Sequence, residues 1–140
     1  MIALRLVLDT NILVSAALKP DGLQRAILTL ALTRPARLYV TDAVVAEYKE
    51  VLARPEFKIK RGIRLQFMQL IKDRGRLVRA VRVLQEAQDP SDDKFLECAD
   101  AAHADYLITG NLRHFPRFWK STKVVTTREF IGIVAPHFGR

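Results

Sequence analysis

Four acids stand out by their surroundings. Asp9 closes the apolar run Ala3 to Leu8, Glu47 lies one turn into a helical pattern beside Val44, Tyr48, Val51 and Leu52, and Asp92 and Asp93 open another helical pattern. Carboxylates gathered together repel one another unless a cation neutralises them, and hard oxygen ligands suit Mg²⁺ or Mn²⁺. One or two such ions activate water and stabilise the leaving oxygen when a phosphodiester is cut. The chemistry these residues point to is metal-dependent phosphodiester hydrolysis rather than a general acid/base carboxylate pair.

Each acid also has a simpler role open to it. Asp9 is placed to cap the helix that follows it. Glu47 borders a core and is equally compatible with a salt bridge to an arginine, because a carboxylate buried without a partner is destabilising. Asp92 and Asp93 sit in a first helical turn, where the helix dipole favours an acid by roughly 0.3 to 1 kcal/mol. Glu97 and Asp100 share a face with Asp93, opposite Phe95, Cys98, Ala99 and Ala102, and are expected to be exposed. Asn11 and Ser15 are compatible with orienting Asp9 or touching a phosphate, and Asn11 equally with capping the first helix. Cys98 reads as core, while His103 and His137 read as surface or packing residues. Trp119, with Phe115 and Phe118 around Arg117, fits either base stacking or a core or dimer contact.

The elements that must position these residues alternate between strand and helix. Ala3 to Leu8 reads as a buried parallel strand, followed by helices over Thr10 to Leu18 and Leu23 to Leu32. Arg37 to Val40 is a strand, Thr41-Asp42 an N-cap for a helix to Ala53, and Gly62 or Ile63 to Lys72 a further helix. Leu77 to Val83 is extended or mixed, and a polar hinge lies near Gln85 to Ser91. A helix over Asp92 to Ala104, strands at Tyr106 to Thr109 and Lys123 to Val125, and a helix over Thr127 to Val134 complete the pattern. Such alternation predicts an α/β sandwich around a parallel sheet, with ligands at the carboxyl ends of its strands.

Composition narrows the partners. A chain of 140 residues, 49% of them apolar, is expected to form one domain with a real core. No apolar run approaches the roughly 18 to 20 residues of a membrane span, and the amino-terminal stretch, interrupted by Arg5 and Asp9, is expected to be neither signal peptide nor anchor. The single Cys98 excludes an internal disulfide and a Cys-rich zinc site, and makes a reducing cytoplasm the default. The net charge is +8, with 15 Arg against 8 Lys, which favours a polyanionic partner. From Arg54 to Arg82 there are ten basic residues and two acids, whereas Glu86 to Asp105 carries seven acids and Lys94 alone. Arg54, Lys58, Lys60, Arg61 and Arg64 surround a turn between helices and are candidates for phosphate contact. Arg74, Arg76, Arg79 and Arg82 either extend that track or mark a half-exposed edge strand.

The segments LDTNILVSA, VTDAVVAE ending at Glu47, DPSDDKFLECA and ADYLITGNLRHF together resemble the PIN-domain nucleases, in particular the VapC-like toxins of prokaryotic toxin–antitoxin systems. The likeness spans nearly the whole chain in the right order, and four spaced motifs are specific together. It implies a three-layer α/β/α fold with a central parallel sheet, a Mg²⁺ or Mn²⁺ site, and cleavage of single-stranded RNA. It also implies a homodimer and a cognate antitoxin that places an arginine or a helix near the acids. The apolar stretches Ile12 to Leu18 and Ile27 to Leu32 exceed what one core face requires, which agrees with a dimer. By resemblance, Asp9 is the first acid of the family, Glu47 the second and Asp93 the third, with Asp92 able to share that third role. The Thr109 hydroxyl matches a position that supports the metal site by hydrogen bonding.

The fourth motif departs from the family. Where an aspartate is common, this chain has Asn111 and His114. Asn ligates through its carbonyl oxygen and His through nitrogen, so three carboxylates would hold one ion well and a second poorly. His114, beside Phe115-Pro116, also fits a structural ring. The alternative function is a non-catalytic RNA- or antitoxin-binding module with a degenerate metal site. Aspartyl phosphotransfer of the haloacid-dehalogenase type is disfavoured because the second acid it needs is Asn11 here, and no Gly-rich phosphate loop is present.

Overall fold

The computed structural model describes residues 3–80 and 92–138, with backbone alone for 137–138. Arg82, the hinge near Gln85 to Ser91 and the side chain of His137 lie outside the described residues. Strand β1 (Arg5–Leu8) is buried over its last three residues and leads directly into α1 (Thr10–Leu18) and α2 (Leu23–Ala31). Strand β2 (Arg37–Val40) precedes α3 (Asp42–Leu52), whose first turn is capped by the Thr41 side chain accepting from the Val44 amide at 3.2 Å. A 3-10 turn at Pro55–Phe57 joins α3 to α4 (Arg61–Arg74), followed by the two-residue strand β3 (Arg76–Leu77). The second half runs α5 (Asp93–Ala102), β4 (Tyr106–Ile108), β5 (Phe118–Trp119), β6 (Thr122–Val125) and α6 (Thr127–Phe138).

The sheet has the order β3-β2-β1-β4-β6-β5, parallel throughout except for the antiparallel pair β5–β6. Helices cover both faces, which makes a three-layer α/β/α sandwich. Parallel strands buried on both sides need continuous apolar runs, and Leu6, Val7, Leu8, Leu107 and Ile108 are fully buried. The β5–β6 hairpin is a departure from expectation. Its strand Phe118–Trp119 is too short to show alternation, and it pairs only because the turn at 120–121 folds it onto Thr122 and Lys123. Of the aromatic cluster there, Phe115 is buried, Trp119 half-buried and Phe118 exposed. Of the edge strand expected from Arg76 to Arg82, β3 forms Arg76–Leu77 at the sheet margin, with both residues exposed; Arg79 lies beyond it.

The apolar surplus of α1 is consumed inside the chain. Ile12, Leu13, Ala16 and Ala17 are all buried, because α1 packs against both α2 and α3, and only Leu18 stands exposed. Leu65 and Leu77 are exposed instead, along an apolar groove of about 770 Å³ between α3, α4 and β3. Among the described residues no helix is long and apolar enough to cross a membrane.

Gly75 makes the sharp return from α4 to β3 possible. Its amide donates to the Ile71 carbonyl at 2.8 Å, and a Cβ at Gly75 would stand 2.5 Å from that same oxygen. Gly75→Ala is therefore expected to destabilise the fold by more than about 1 kcal/mol, read as a lower midpoint in urea unfolding. An unchanged midpoint would show that the α4–β3 return yields freely.

Candidate functional site

The chain leaves β1 toward β2 on one side and later toward β4 on the other, so β1 and β4 flank the point where strand order reverses. Open α/β sheets place ligands in the crevice beyond the carboxyl ends of such strands. The register pairs Leu8 with Ile108, which brings the next residues, Asp9 and Thr109, face to face. The Asp9 amide donates to the Ile108 carbonyl at 2.9 Å, and the Thr109 hydroxyl donates to Asp9 Oδ2 at 2.6 Å. The Asn111 amide in turn donates to Thr109 Oγ1 at 2.9 Å, fixing that hydroxyl in its donor direction. The capping role open to Asp9 is not taken, since its side chain makes no cap bond to α1 although the residue occupies the N-cap position. Asn11 does not cap either: it lies inside α1, exposed and on the wall of the crevice.

Burial dominates the electrostatics of Asp9. Loss of hydration raises its pKa from 3.8 to about 6, opposed by the Thr109 hydrogen bond, with the nearby charges of Asp92 and Glu47 adding to the rise. Such a carboxylate is ionised at neutral pH against a desolvation penalty that a bound cation would relieve.

Glu47 reaches the same crevice because its neighbour is anchored. The buried Tyr48 hydroxyl donates to the Leu8 carbonyl, pinning α3 to the end of β1, and burial drives the phenol pKa well above its usual value. Glu47, one residue earlier, then has Oε2 accepting from the Thr10 hydroxyl and Oε1 2.7 Å from Lys94 Nζ. A salt bridge is present, but with a lysine of α5 in place of the expected arginine. Thr10 and Lys94 are site residues that sequence reasoning does not find. The one signal for Lys94 is its isolation as the sole base among the acids from Glu86 to Asp105.

The crevice, about 410 Å³, is lined by Asp9, Thr10, Asn11, Ser15, Glu47 and Asp92 together with Asn111 and His114. Asp92 is the acid of the α5 terminus that faces it. Asp93, at 8% exposure, is buried and does not contribute to the lining. His114 Nδ1 lies 3.1 Å from Asp92 Oδ2 with its side chain 41% exposed, which puts the ring on the crevice wall. Arg54 and Phe57 also line it.

Other expectations resolve individually. Asp100 is not exposed: its side chain is nearly buried and pairs with Lys120 at 3.2 Å. Cys98 is core as expected, and burial pushes its thiol up to about 12, which keeps it unreactive. His103 is exposed at the end of α5. Lys58, Lys60 and Arg61 are all exposed before and at the start of α4. Arg64 departs from them, being half-buried along the α3–α4 groove with a buried Nε that has no hydrogen-bond partner among the described residues. Arg74, Arg76 and Arg79 are exposed.

The oxygens of Asp9, Glu47 and Asp92 with the Asn111 side-chain amide form a donor set whose chemistry fits a hard divalent ion. Among the described residues, no three His, Cys, Asp or Glu side chains are already gathered as a ligand cluster. Glu47 has both oxygens engaged by Thr10 and Lys94.

A mostly parallel three-layer sandwich with acidic side chains lining the crevice at its switch point is the arrangement of α/β proteins that hold ligands beyond their strand ends. The chain belongs to the PIN domain family, which it matches over residues 5–113. No curated protein matches it in sequence. Among solved structures it is similar to VapBC2 from Rickettsia felis bound to a DNA fragment from their promoter, with a TM-score of 0.57 and 17% identity over 87% of this chain and 98% of that one.

The buried charge of Asp9 generates a stability prediction for the metal-free protein. A carboxyl whose folded pKa lies above its unfolded one contributes stability below the unfolded value, lost as pH rises through the folded value. The rise from 3.8 to about 6 corresponds to at most roughly 3 kcal/mol. Asp9→Asn keeps an acceptor for Thr109, so in EDTA it should be the more stable protein at pH 8 and equal to wild type near pH 3.5. Urea unfolding at both pH values checks this, and equal stability at pH 8 would refute the buried-charge account.

Proposed function

We propose that this chain is a divalent-metal-dependent endoribonuclease that cuts single-stranded RNA, acting as the toxin of a toxin–antitoxin pair in the cytoplasm. The observation that carries the proposal is the buried Asp9 carboxylate, held by Thr109 at the switch point with Glu47 and Asp92 as its charged neighbours. Family membership supports it. Asp9, Glu47 and an acid of the α5 terminus, with Asn111 as a neutral oxygen donor, would hold Mg²⁺ or Mn²⁺. Bound there, the ion supplies Lewis-acid polarisation of the phosphodiester and a water of lowered pKa.

The chain's own residues do the rest. Thr109 keeps Asp9 oriented, Thr10 keeps Glu47 oriented, and Asn11 and Ser15 offer polar groups to a phosphate on the crevice wall. His114, beside Asp92 on the crevice wall, supports that acid through its ring nitrogen. Resemblance assigns the third acid to Asp93, whereas the crevice lining favours Asp92, and the variants separate them. Asp9→Asn and Glu47→Gln are each expected to lower cleavage of mixed single-stranded RNAs in Mn²⁺ by at least about a hundredfold while leaving the fold intact. Asp92→Asn should do the same, with Asp93→Asn the milder of the two. Full activity in Asp9→Asn would refute this assignment of the site, and identical cleavage rates with Mn²⁺ and with EDTA would refute the metal dependence; no cleavage by wild type in Mn²⁺ would leave a non-catalytic RNA- or antitoxin-binding module.

Lys58, Lys60 and Arg61 supply the RNA track in this proposal, with Arg54 on the crevice lining. Each phosphate that is no longer neutralised should reduce the salt slope of single-strand binding by roughly 0.7, so changing all three to Ala should flatten it by about 2. Filter binding across a salt series measures this, and an unchanged slope places the RNA path elsewhere. Arg64 is assigned instead to the apolar groove, whose exposed Leu65 and Leu77 offer a docking surface for an antitoxin segment. The Rickettsia felis likeness supports such a partner. A homodimer is part of the proposal by resemblance, although the apolar residues of α1 are mostly buried within the chain.

A further inference from the structure

Lys94 stands one residue beyond Asp93 in the first turn of α5 and reaches across to α3, where its ammonium meets Glu47 Oε1 at 2.7 Å. The two side chains are 27% and 20% exposed, so solvent screens the pair less than it would a surface bridge. The second oxygen of Glu47 accepts from the Thr10 hydroxyl. Both oxygens of a carboxylate counted among the ion's ligands are therefore engaged by the protein itself.

We infer that Lys94 is the resident counter-ion of Glu47, which a divalent ion must displace from Oε1, so that Lys94 sets the ion concentration at which the site loads. The inference rests on the metal-centre reading above and adds the group that competes with the metal. Without an ion, the crevice gathers the like charges of Asp9, Glu47 and Asp92 on its lining. A single ammonium at Glu47 offsets part of that charge in the metal-free state. Any interaction that stabilises the empty form and is broken in the loaded form lowers apparent affinity for the ligand. The ammonium also opposes an approaching dication by direct repulsion. Lys94 thus acts through Glu47 as a positioning residue: it keeps the glutamate extended into the crevice while no ion is present, and yields it at sufficient ion concentration.

The test is Mn²⁺ titration calorimetry of the EDTA-stripped full chain without RNA, comparing wild type, Lys94→Met and Lys94→Arg. Met keeps much of the length and the apolar stem of the side chain and removes the charge. Lys94→Met is expected to bind Mn²⁺ about tenfold tighter, the factor that about 1.4 kcal/mol of relieved competition represents. Lys94→Arg should remain near wild type. In thermal melts, Lys94→Met should be less stable than wild type in EDTA and regain the difference when Mn²⁺ is added, a crossover that simple loss of packing would not produce. Equal or weaker Mn²⁺ binding by folded Lys94→Met, with wild type binding normally, overturns the competition while leaving the metal centre standing. If neither protein binds Mn²⁺, the metal-centre reading fails and this inference fails with it.

Discussion

Asp9 ends an apolar strand in the middle of the sheet, and its carboxylate has been taken out of water with the Thr109 hydroxyl and the Thr10 backbone amide as its compensation. Almost every other feature of the crevice answers that placement. Thr109 faces Asp9 because Leu8 and Ile108 are paired across β1 and β4, and Thr109 is itself fixed by the Asn111 amide. Burying a charge this way is strongly unfavourable unless it is neutralised, and the pKa of about 6 expresses that penalty. A fold optimised only for stability would place Asn or Thr at this position.

The second acid is delivered by a different device. α3 is bound to the end of β1 by the buried Tyr48 hydroxyl on the Leu8 carbonyl, so the helix cannot slide along the sheet. Glu47 is then carried to the crevice as the preceding residue on the same turn. Thr10, directly after Asp9, holds it there through its hydroxyl. Two neighbouring residues of one strand end, Asp9 and Thr10, therefore organise both acids, and the β1–α1 junction is the mechanical centre of the site.

Charge is partitioned across the molecule in a way that fits a polyanion led toward acids. The lysines and arginine before and at the start of α4 lie apart from the carboxylate crevice, with Arg54 and Phe57 at its border. Lys94 offsets the charge of Glu47 from within, and His114 forms a hydrogen bond with Asp92. The Lys94 ammonium makes the crevice less negative than its acid count implies.

The architecture was legible in the sequence because parallel buried strands and amphipathic helices leave strong periodic patterns. The strands at Arg37 to Val40 and Tyr106 to Thr109, and the helices after Asp9 and Thr41, were all readable, as was membership of the PIN family from four spaced motifs. Asp9 was legible as well, since an acid closing an apolar run has little local use beyond capping the next helix. What the sequence alone could not decide is which side chains meet. Lys94 and Glu47 are 47 positions apart and Asp92 and His114 are 22 apart, and neither pair shares a local pattern. Whether Asp92 or Asp93 faces the crevice depends on the rotation of α5 against β1, β2 and β4, which adjacent identical residues cannot encode. The short β5 strand likewise exists only because β6 offers an edge to pair with, and a two-residue strand carries no periodicity of its own.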